Sequence, residues 1–211
     1  QAFLGNLGVT GATAYFGLLD VASAKEGDVV FVSAAAGAVG SAVVQIAKAK
    51  GMTVIGSAGG ADKCEFVRSL GADFVIDYKA QPVLKGLAAA APEGIDVYFD
   101  NVGGDHLDAA FAVARNNARF AICGMIEGYN AGPPPSFRYI MRVISARIQI
   151  KGFIYTDYLA EMPDFYRDMG GWIASGQLKS RETIREGIEA TPQAFLDLSS
   201  GANTGKMLVR L

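Results

Sequence analysis

Metal-ligating and cross-linking side chains are scarce in this sequence. Its 211 residues include one histidine, His106, and two cysteines, Cys64 and Cys123. A structural zinc site takes four Cys or His ligands, so three widely separated side chains exclude one. Two thiols form at most one disulfide, which argues against a disulfide-stapled secreted scaffold and favours a reducing, cytoplasmic setting. We expect the cysteines to be small buried apolar residues and His106 to lie on a helix surface.

Charge is scarce as well, and no apolar run is long enough to cross a membrane. Only 19% of the residues are charged, and the formal net charge is −2, whereas an average globular domain has about 25% charged residues. This balance offers no electrostatic footprint for nucleic acid or for an anionic lipid surface. A spanning helix needs about 18 consecutive apolar residues, which the sequence lacks. We therefore expect neither a nucleic-acid partner nor a membrane.

The first residues lack the features of a signal peptide. The segment QAFLGNLGVTGATAYFG has no basic region, no apolar core of the required kind and no initiating Met. It begins inside an apolar stretch that glycines interrupt. We expect the chain to be a piece of a longer protein.

Glycine and apolar residues are abundant, at 26 glycines and 51% hydrophobic residues, and they follow a repeated pattern. Five short β-rich runs are predicted as strands: Val29–Ser33, Thr53–Gly56, Phe74–Asp77, Val97–Asp100 and Arg119–Gly124. Helical spacing predicts helices between them, over Val39–Ala47, Asp62–Leu70 and Leu107–Arg115. Repeated βα units of this size predict an α/β fold with a doubly wound parallel sheet of the Rossmann type.

The second half of the chain has weaker signals. Pattern and composition predict a rigid loop over Gly132–Pro135, a strand over Arg147–Tyr155, helices over Phe137–Ser145, Ala160–Ser175 and Thr191–Ser199, and a last strand over Lys206–Leu211. Phe165 and Trp172, at helical spacing, are expected in the core. The strand at 147–155 is expected at a sheet edge, where it either pairs with a second copy of the chain or is covered within one subunit.

A glycine-containing loop follows the first predicted strand. Its pattern is A-x-x-G-x-x-G, from Ala34 through Gly37 to Gly40, with Ala34 where the commoner fingerprint has its first glycine. Small residues let the backbone approach a pyrophosphate, which the following helix N-terminus stabilises. The position at the first βα turn favours a dinucleotide loop. The alternative is a tight βα turn without a ligand.

The end of the second predicted strand bears on which dinucleotide would bind. An NAD site usually has an acidic residue there, whereas this strand runs into Ser57-Ala58-Gly59-Gly60, and the first acid is Asp62 in the next helix. Small neutral residues leave room for a 2′-phosphate, and Lys63 is placed to neutralise it. The sequence therefore favours NADPH over NADH. Alternatively, Lys63 is a solvated surface lysine; Arg68 is expected to point elsewhere.

These motifs together resemble the medium-chain dehydrogenase/reductase superfamily, and most closely its zinc-independent, NADP-dependent double-bond reductases, which include prostaglandin (leukotriene B4), alkenal and quinone reductases. The resemblance extends over nearly the whole chain, in the segments Gly8–Leu19, Ala34–Lys48, Val54–Lys63, Leu70–Lys79, Tyr98–Gly104, Cys123–Asn130 and Asn203–Lys206. It implies that residues 1–20 are a hinge helix, that 21–155 are the NADP-binding Rossmann domain, and that 156–211 return toward a GroES-like domain absent from this chain.

The resemblance also implies cofactor contacts, residue by residue. The family's pyrophosphate loop matches Ala34, Gly37, Ala38, Val39 and Gly40. Positions near the adenosine 2′-phosphate match Gly59, Lys63 and Tyr78. Positions beside the ribose and nicotinamide match Asn101, Val102, Cys123, Gly124 and Tyr129. The stretch that holds the carboxamide matches Phe153, Ile154 and Tyr155, and a C-terminal asparagine at the phosphates or nicotinamide matches Asn203.

The activity that the resemblance implies is reduction of the C=C bond of an α,β-unsaturated ketone or aldehyde. Hydride moves from NADPH C4 to the β-carbon, and water or a tyrosine protonates the resulting enolate. Tyr129 is the candidate tyrosine, as proton donor or as cofactor anchor, unless it only packs within its loop. Val9 and Thr10 replace the family's usual Met-Pro near the substrate cleft, which leaves the substrate open. The isolated chain is expected to bind cofactor and to turn over poorly.

Two other functions stay open from the sequence. One is reduction of quinones within the same superfamily, and the other is a non-catalytic NADPH-binding module that acts as a sensor or assembly subunit. A short-chain dehydrogenase is excluded, because none of the eight tyrosines has a lysine four positions later. Asp100 is expected to fix the loop after its strand rather than to act as a base.

Overall fold

Six parallel strands form the central sheet of the chain in a computed structural model, which describes residues 2–129 and 135–211. The strands are β1 (Val29–Val32), β2 (Thr53–Ala58), β3 (Phe74–Asp77), β4 (Ile95–Asp100), β5 (Ala114–Ile122) and β6 (Gln149–Gly152). Their order across the sheet is β3-β2-β1-β4-β5-β6, and every neighbouring pair is parallel. This order confirms the predicted doubly wound fold, with the switch point between β1 and β4.

Helices cover both faces of the sheet. They are α1 (Val9–Phe16), α2 (Ala38–Ala49), α3 (Ala61–Ser69), α4 (Val83–Ala90), α5 (Gly104–Val113), α6 (Arg142–Ser145), α7 (Met162–Ala174) and α8 (Thr191–Ser199). Successive residues of a strand point to opposite faces, so Val30 and Val32 of β1 pack in one core with Ile46 of α2. Phe31 between them packs in the other core with Leu87 of α4. Burial on both faces explains the continuous apolar run of β1.

The C-terminal residues form a separate unit against the sheet. Strand β7 (Glu182–Glu186) pairs in parallel with β8 (Lys206–Arg210), and α8 lies between them in the chain. Gln45 of α2 exchanges two hydrogen bonds with the Lys179 backbone, with its Oε1 accepting at 2.7 Å and its Nε2 donating at 3.0 Å. These bonds hold the C-terminal unit beside the helix that follows the glycine loop.

Several predicted elements have different bounds in the structure. The predicted helix over Phe137–Ser145 is reduced to α6. The strand over Arg147–Tyr155 is reduced to β6, because Arg147 has φ +53° and cannot begin an extended ladder, and because the pairing with β5 ends at Gly152. The helix predicted to reach Arg115 ends at Val113, since Ala114 already pairs with Ile95 as the start of β5. Helix α4 and strand β7 were not predicted. Residues 130–134, with Asn130 and most of the predicted Gly132–Pro135 loop, lie outside the described residues.

The described part of the chain contains no helix that is both long and apolar enough to cross a bilayer.

Candidate functional site

The carboxyl ends of β1 and β4 are joined directly at the switch point. The Asn101 backbone N–H donates to Ser33 Oγ at 2.8 Å, and Asn101 Nδ2 donates to the Ser33 carbonyl at 2.8 Å. Ser33 lies at the end of β1 and Asn101 at the end of β4, where the chain leaves the sheet toward opposite faces. In doubly wound sheets this crevice is where ligands bind.

The predicted glycine loop connects β1 to α2 as a tight turn. Ala34 has φ +48°, and its carbonyl accepts from the Gly37 N–H at 2.9 Å. A left-handed alanine costs about 1 kcal/mol, which the commoner glycine would avoid. Gly37 is the N-cap of α2 and makes no side-chain capping bond, so the first N–H groups of this helix have no side chain over them.

Gly40 shows why the turn and the helix need a small residue there. A Cβ at Gly40 would lie 2.3 Å from the Ala34 carbonyl oxygen, a distance at which no side chain fits. The backbone of the turn thus packs directly on the first turn of α2. Ala34, Gly37, Ala38, Val39 and Gly40 together form a cradle of backbone atoms at a helix N-terminus, and this arrangement fits a pyrophosphate.

The C-terminal unit contacts the same loop. The Gly205 N–H donates to the Ala36 carbonyl at 2.8 Å, and Gly37 forms a β-bridge with Gly205. Asn203 is buried, and its Nδ2 donates to the Gly205 carbonyl at 2.8 Å. The structure therefore brings Asn203 to the side of the glycine loop, through the turn that contains Gly205.

A second cluster lies where β2 and β3 end. A Cβ at Gly59 would lie 2.6 Å from Tyr78 Oη and 3.0 Å from Lys79 Cε. Lys63, in the first turn of α3, donates to the Gly201 carbonyl at 2.5 Å. Burial lowers the pKa of Lys63, and the nearby charge of Lys79 lowers it further. Two of the residues predicted near a 2′-phosphate, Gly59 and Tyr78, thus lie together with Lys79, which the sequence did not indicate. The third, Lys63, is linked to this group through the charge of Lys79. Arg68 pairs instead with Glu65, as predicted.

His106 is buried, and the prediction that it lies on a helix surface was wrong. It is 6% exposed in the first turn of α5, where its ring lies parallel to Phe31 at 6.4 Å and receives the edge of Tyr78 at 5.4 Å. Burial lowers its pKa to about 4, so the ring is neutral. Its Nε2 has no hydrogen-bond partner within the described ranges. The helix turn aims this side chain at β1 rather than at solvent.

Asp100 fixes the loop after β4, as predicted. Its Oδ1 accepts from Tyr98 Oη at 2.6 Å and from the backbone N–H groups of Val102 and Gly103 at 2.9 and 2.8 Å. The residue is fully buried. Burial raises the pKa of Asp100, and the hydrogen bonds from Tyr98 and the loop oppose this rise. These bonds fix the backbone on which Asn101 and Val102 lie.

The loop after β5 lies over the loop after β4. The N–H groups of Cys123 and Gly124 donate to the Asp100 carbonyl at 2.9 and 3.0 Å, and the Glu127 N–H donates to the Val102 carbonyl at 3.1 Å. Burial raises the pKa of Cys123 to about 12, so its thiol stays protonated. Four of the predicted ribose and nicotinamide residues, Asn101, Val102, Cys123 and Gly124, are therefore adjacent.

Tyr129 lies at the end of that second loop. Its side chain is exposed, its Oη accepts from the Met125 N–H at 3.3 Å, and a Cβ at Gly124 would lie 3.1 Å from the same Oη. The hydroxyl thus lies over Gly124, at the surface of the crevice. This position suits a group that meets either a substrate or a cofactor.

The stretch Phe153–Tyr155 follows β6, the strand next to β5. Ile122 and Gly152 are register partners, so Cys123 and Phe153 leave the sheet side by side. The ring of Phe153 packs edge-on against Phe99 at 6.2 Å, while Ile154 is 65% exposed. The predicted carboxamide residues Phe153, Ile154 and Tyr155 thus border the predicted nicotinamide loops. No group of three or more His, Cys, Asp or Glu side chains able to hold a metal occurs in residues 2–129 and 135–211.

Comparison with known proteins gives a consistent result. The model of the family described as zinc-binding dehydrogenases matches residues 38–173. The chain is 42% identical to the NADPH-dependent curcumin reductase of Escherichia coli, over 99% of this chain and 62% of that protein. It is 43% identical to prostaglandin reductase 1 of Sus scrofa, over 98% of this chain and 64% of that protein. The chain thus spans slightly less than two thirds of these relatives.

A solved structure agrees with these sequence matches. CurA from Vibrio vulnificus, crystallised in complex with NADPH, superposes with a TM-score of 0.92 at 42% identity, over 99% of this chain and 64% of that one. The resemblance to the medium-chain reductases is confirmed.

Proposed function

The chain belongs to the zinc-binding dehydrogenase family, and we propose that it is the cofactor-binding part of an NADPH-dependent reductase that acts on the C=C bond of α,β-unsaturated ketones and aldehydes. The observation that carries this proposal is the cluster at the end of β2. Where an NAD enzyme would have a carboxylate, this chain has Gly59 beside the Tyr78 hydroxyl and the Lys79 side chain. Lys63 lies in the first turn of the next helix, within reach of the Lys79 charge. The curcumin and prostaglandin reductases among the relatives support the substrate class.

The cofactor is NADP(H), and each of three parts of the site binds a different part of it. The backbone cradle at Ala34–Gly40, with Asn203 beside it, holds the pyrophosphate. The cluster of Gly59, Lys63 and Tyr78 holds the 2′-phosphate. The ribose and nicotinamide lie against the loops that carry Asn101, Val102, Cys123 and Gly124, and the stretch Phe153–Tyr155 holds the carboxamide.

When bound, NADPH supplies the hydride that adds to the β-carbon of the enone. The chain's own residues orient the site and supply a proton. Hydrogen bonds from Cys123 and Gly124 to the Asp100 carbonyl fix the surface of the crevice. The Cys123 thiol stays protonated and does not act as a nucleophile. Tyr129, exposed above Gly124, either donates the proton to the carbonyl oxygen or anchors the cofactor.

The mechanism that we propose needs no zinc. The side chains that most often ligate zinc have other roles in this chain. His106 is packed between Phe31 and Tyr78, Cys64 is buried, and Cys123 lies in the loop after β5. The free thiols suit a reducing setting, which supports a cytoplasmic location.

We further propose that residues 1–20 form a hinge, that 21–155 form the NADP-binding domain, and that 156–211 return toward a neighbouring domain. The exposed edge strand β6 would pair with a second copy of the chain. All four of its residues are exposed, and Ile150 is 44% exposed. Sedimentation should show a dimer that Ile150→Lys dissociates; a monomeric parent chain would contradict the pairing.

The activity is tested with the complete product of the reading frame that encodes these 211 residues. NADPH oxidation is followed with a linear enal, a cyclic enone and a quinone as separate substrates. We expect turnover with the first two and a large loss in Tyr129→Phe if the hydroxyl donates the proton. If only the quinone is turned over, the proposed activity is wrong and the protein is a quinone reductase. Tight NADPH binding without turnover of any substrate would favour a non-catalytic module.

A further inference from the structure

We infer that Lys79 is a second cation of the 2′-phosphate site and that it sets the preference for NADP(H) together with Lys63. This inference rests on the proposed function, because it concerns the nucleotide end of the same site. The position of Lys63 after β2 is enough to predict its role from the sequence. Lys79 belongs to the turn after β3, and only the fold brings that turn to the end of β2.

The backbone around Lys79 is held in place by one carboxylate. Asp77, the last residue of β3, accepts the Lys79 N–H and the Gly60 N–H at its Oδ1, each at 3.0 Å. The Tyr78 N–H donates to the Ala58 carbonyl at 3.2 Å. These bonds tie the turn after β3 to the end of β2. As a result, the Lys79 side chain lies beside Gly59, with its Cε 3.0 Å from the position that a Cβ would take there.

Neither ammonium forms an ion pair in the part of the chain that the structure describes. Two other cations of the same βα units have acidic partners, since Lys48 pairs with Asp73 at 2.8 Å and Arg68 pairs with Glu65 at 3.3 Å. Within the described ranges, no carboxylate oxygen lies within 4.0 Å of Lys63 or Lys79. Lys63 donates to the Gly201 carbonyl, which orients the ammonium without cancelling its charge. Asp77 lies two residues before Lys79. The backbone N–H groups of Gly60 and Lys79 lower its pKa, and the charge of Lys79 lowers it further, but the carboxylate forms no ion pair with this ammonium.

A hydroxyl beside two lysines that form no ion pair is suited to bind a dianion. Their mutual repulsion is visible in the pKa of Lys63, which burial lowers first and Lys79 lowers in addition. A phosphate monoester carries nearly two negative charges at neutral pH and has three acceptor oxygens. It would therefore relieve the repulsion and accept from both ammonium groups and from Tyr78 Oη. A ribose hydroxyl offers no charge, so the gain is specific to the phosphorylated nucleotide.

The test compares 2′,5′-ADP with 5′-AMP in calorimetric titrations of the 211-residue chain. Lys79→Gln should lower the affinity for 2′,5′-ADP by about 5- to 10-fold at low ionic strength, because one charge-assisted contact is lost at a partly exposed site. It should leave 5′-AMP unchanged. The loss should shrink in about 1 M salt, where the Debye length is about 3 Å.

Three matched variants keep the result interpretable. Lys79→Arg retains the charge and should restore most of the affinity for 2′,5′-ADP, which separates charge from packing. Lys85→Gln removes an exposed lysine of α4 that contributes nothing to the site and should match the parent chain. Lys63→Gln reports on the proposed function itself. Circular dichroism melting shows that each variant is folded.

The outcomes separate the two claims. If Lys63→Gln weakens 2′,5′-ADP while Lys79→Gln does not, the role of Lys79 is overturned and the NADPH site stands. If Lys79→Gln weakens 5′-AMP as much as 2′,5′-ADP, Lys79 supports the adenosine pocket rather than the phosphate, which also overturns the inference. If the parent chain does not distinguish 2′,5′-ADP from 5′-AMP, the proposed function fails with it.

Discussion

The two ends of the candidate cofactor site are built in opposite ways. At the nicotinamide end, a fully buried carboxylate, Asp100, and backbone hydrogen bonds join the loops after β4 and β5. At the adenosine end, Gly59 is walled by long side chains, Tyr78 and Lys79, that reach solvent. The first end is part of the core, so changes there should alter stability. The second end consists of side chains at the surface, so changes there should alter the preference between NADPH and NADH.

Replacing Asp100 should give the largest effect and should appear as lost stability. Asp100→Ala removes the acceptor of the Tyr98 hydroxyl and of two backbone N–H groups, while the hydroxyl and the Gly103 N–H stay buried. We expect the free energy of unfolding to fall by about 3–5 kcal/mol in urea denaturation. Asp100→Asn keeps an oxygen acceptor and should lose less. A loss under about 1 kcal/mol for Asp100→Ala would contradict the contrast between the two ends.

His106 should give the chain an acid-sensitive stability. Its pKa is lowered to about 4, against about 6.5 in an unfolded chain. Between these values the unfolded state binds the extra proton, so the stabilisation is complete above about pH 6.5 and is lost as the pH falls toward 4. The full loss is about 3 kcal/mol.

The measurement is urea denaturation of the parent chain and of His106→Phe, at pH 7 and at pH 5. The variant keeps an aromatic ring between Phe31 and Tyr78 but has no titrating group. It should lose less stability on acidification than the parent chain, by about 2 kcal/mol. Equal losses would show that His106 titrates normally and is accessible to water.

Gly40 lies between the two ends and should affect both nucleotides equally. In Gly40→Ala the new Cβ collides with the Ala34 carbonyl oxygen, so the turn or the helix must shift. We expect a loss of about 1–3 kcal/mol in stability and parallel losses of NADPH and NADH affinity by calorimetry. Gly171→Ala in α7 is the matched control, since a Cβ there would have no atom within 4 Å and the residue lies outside the glycine loop. A loss of affinity for NADPH without a loss for NADH would contradict the contrast between the two ends of the site.

The central strands and the glycine loop could be predicted from the sequence because their signals are local. β1 is a continuous apolar run, β3 has the predicted bounds Phe74–Asp77, and the loop residues are small. Strand β7 could not be predicted, since its sequence ETIRE is polar and it is only partly buried beside β8. Helix α4 is short and consists mainly of small apolar residues between breaks.

The missed features of the site depend on contacts between distant segments. His106 is buried because β1 and the turn after β3 bring Phe31 and Tyr78 against its ring, and nothing in its neighbouring residues indicates this. Lys79 was missed for the same reason, since it approaches Gly59 only through the pairing of β2 with β3. The family resemblance predicts Tyr78 near the 2′-phosphate, and the adjacent position of Lys79 in the sequence is the one signal that points to it.

The most direct test of the claim that the adenosine end sets the nucleotide preference is a pair of titrations, with NADPH and with NADH, of the parent chain and of Lys63→Ala. Because one charged phosphate contact contributes about 1.5–3 kcal/mol, the parent chain should bind NADPH roughly ten- to a hundredfold more tightly than NADH. In Lys63→Ala this preference should fall sharply, to the part that Lys79 retains, while the melting temperature stays near that of the parent. Equal binding of the two nucleotides by the parent chain would contradict the account.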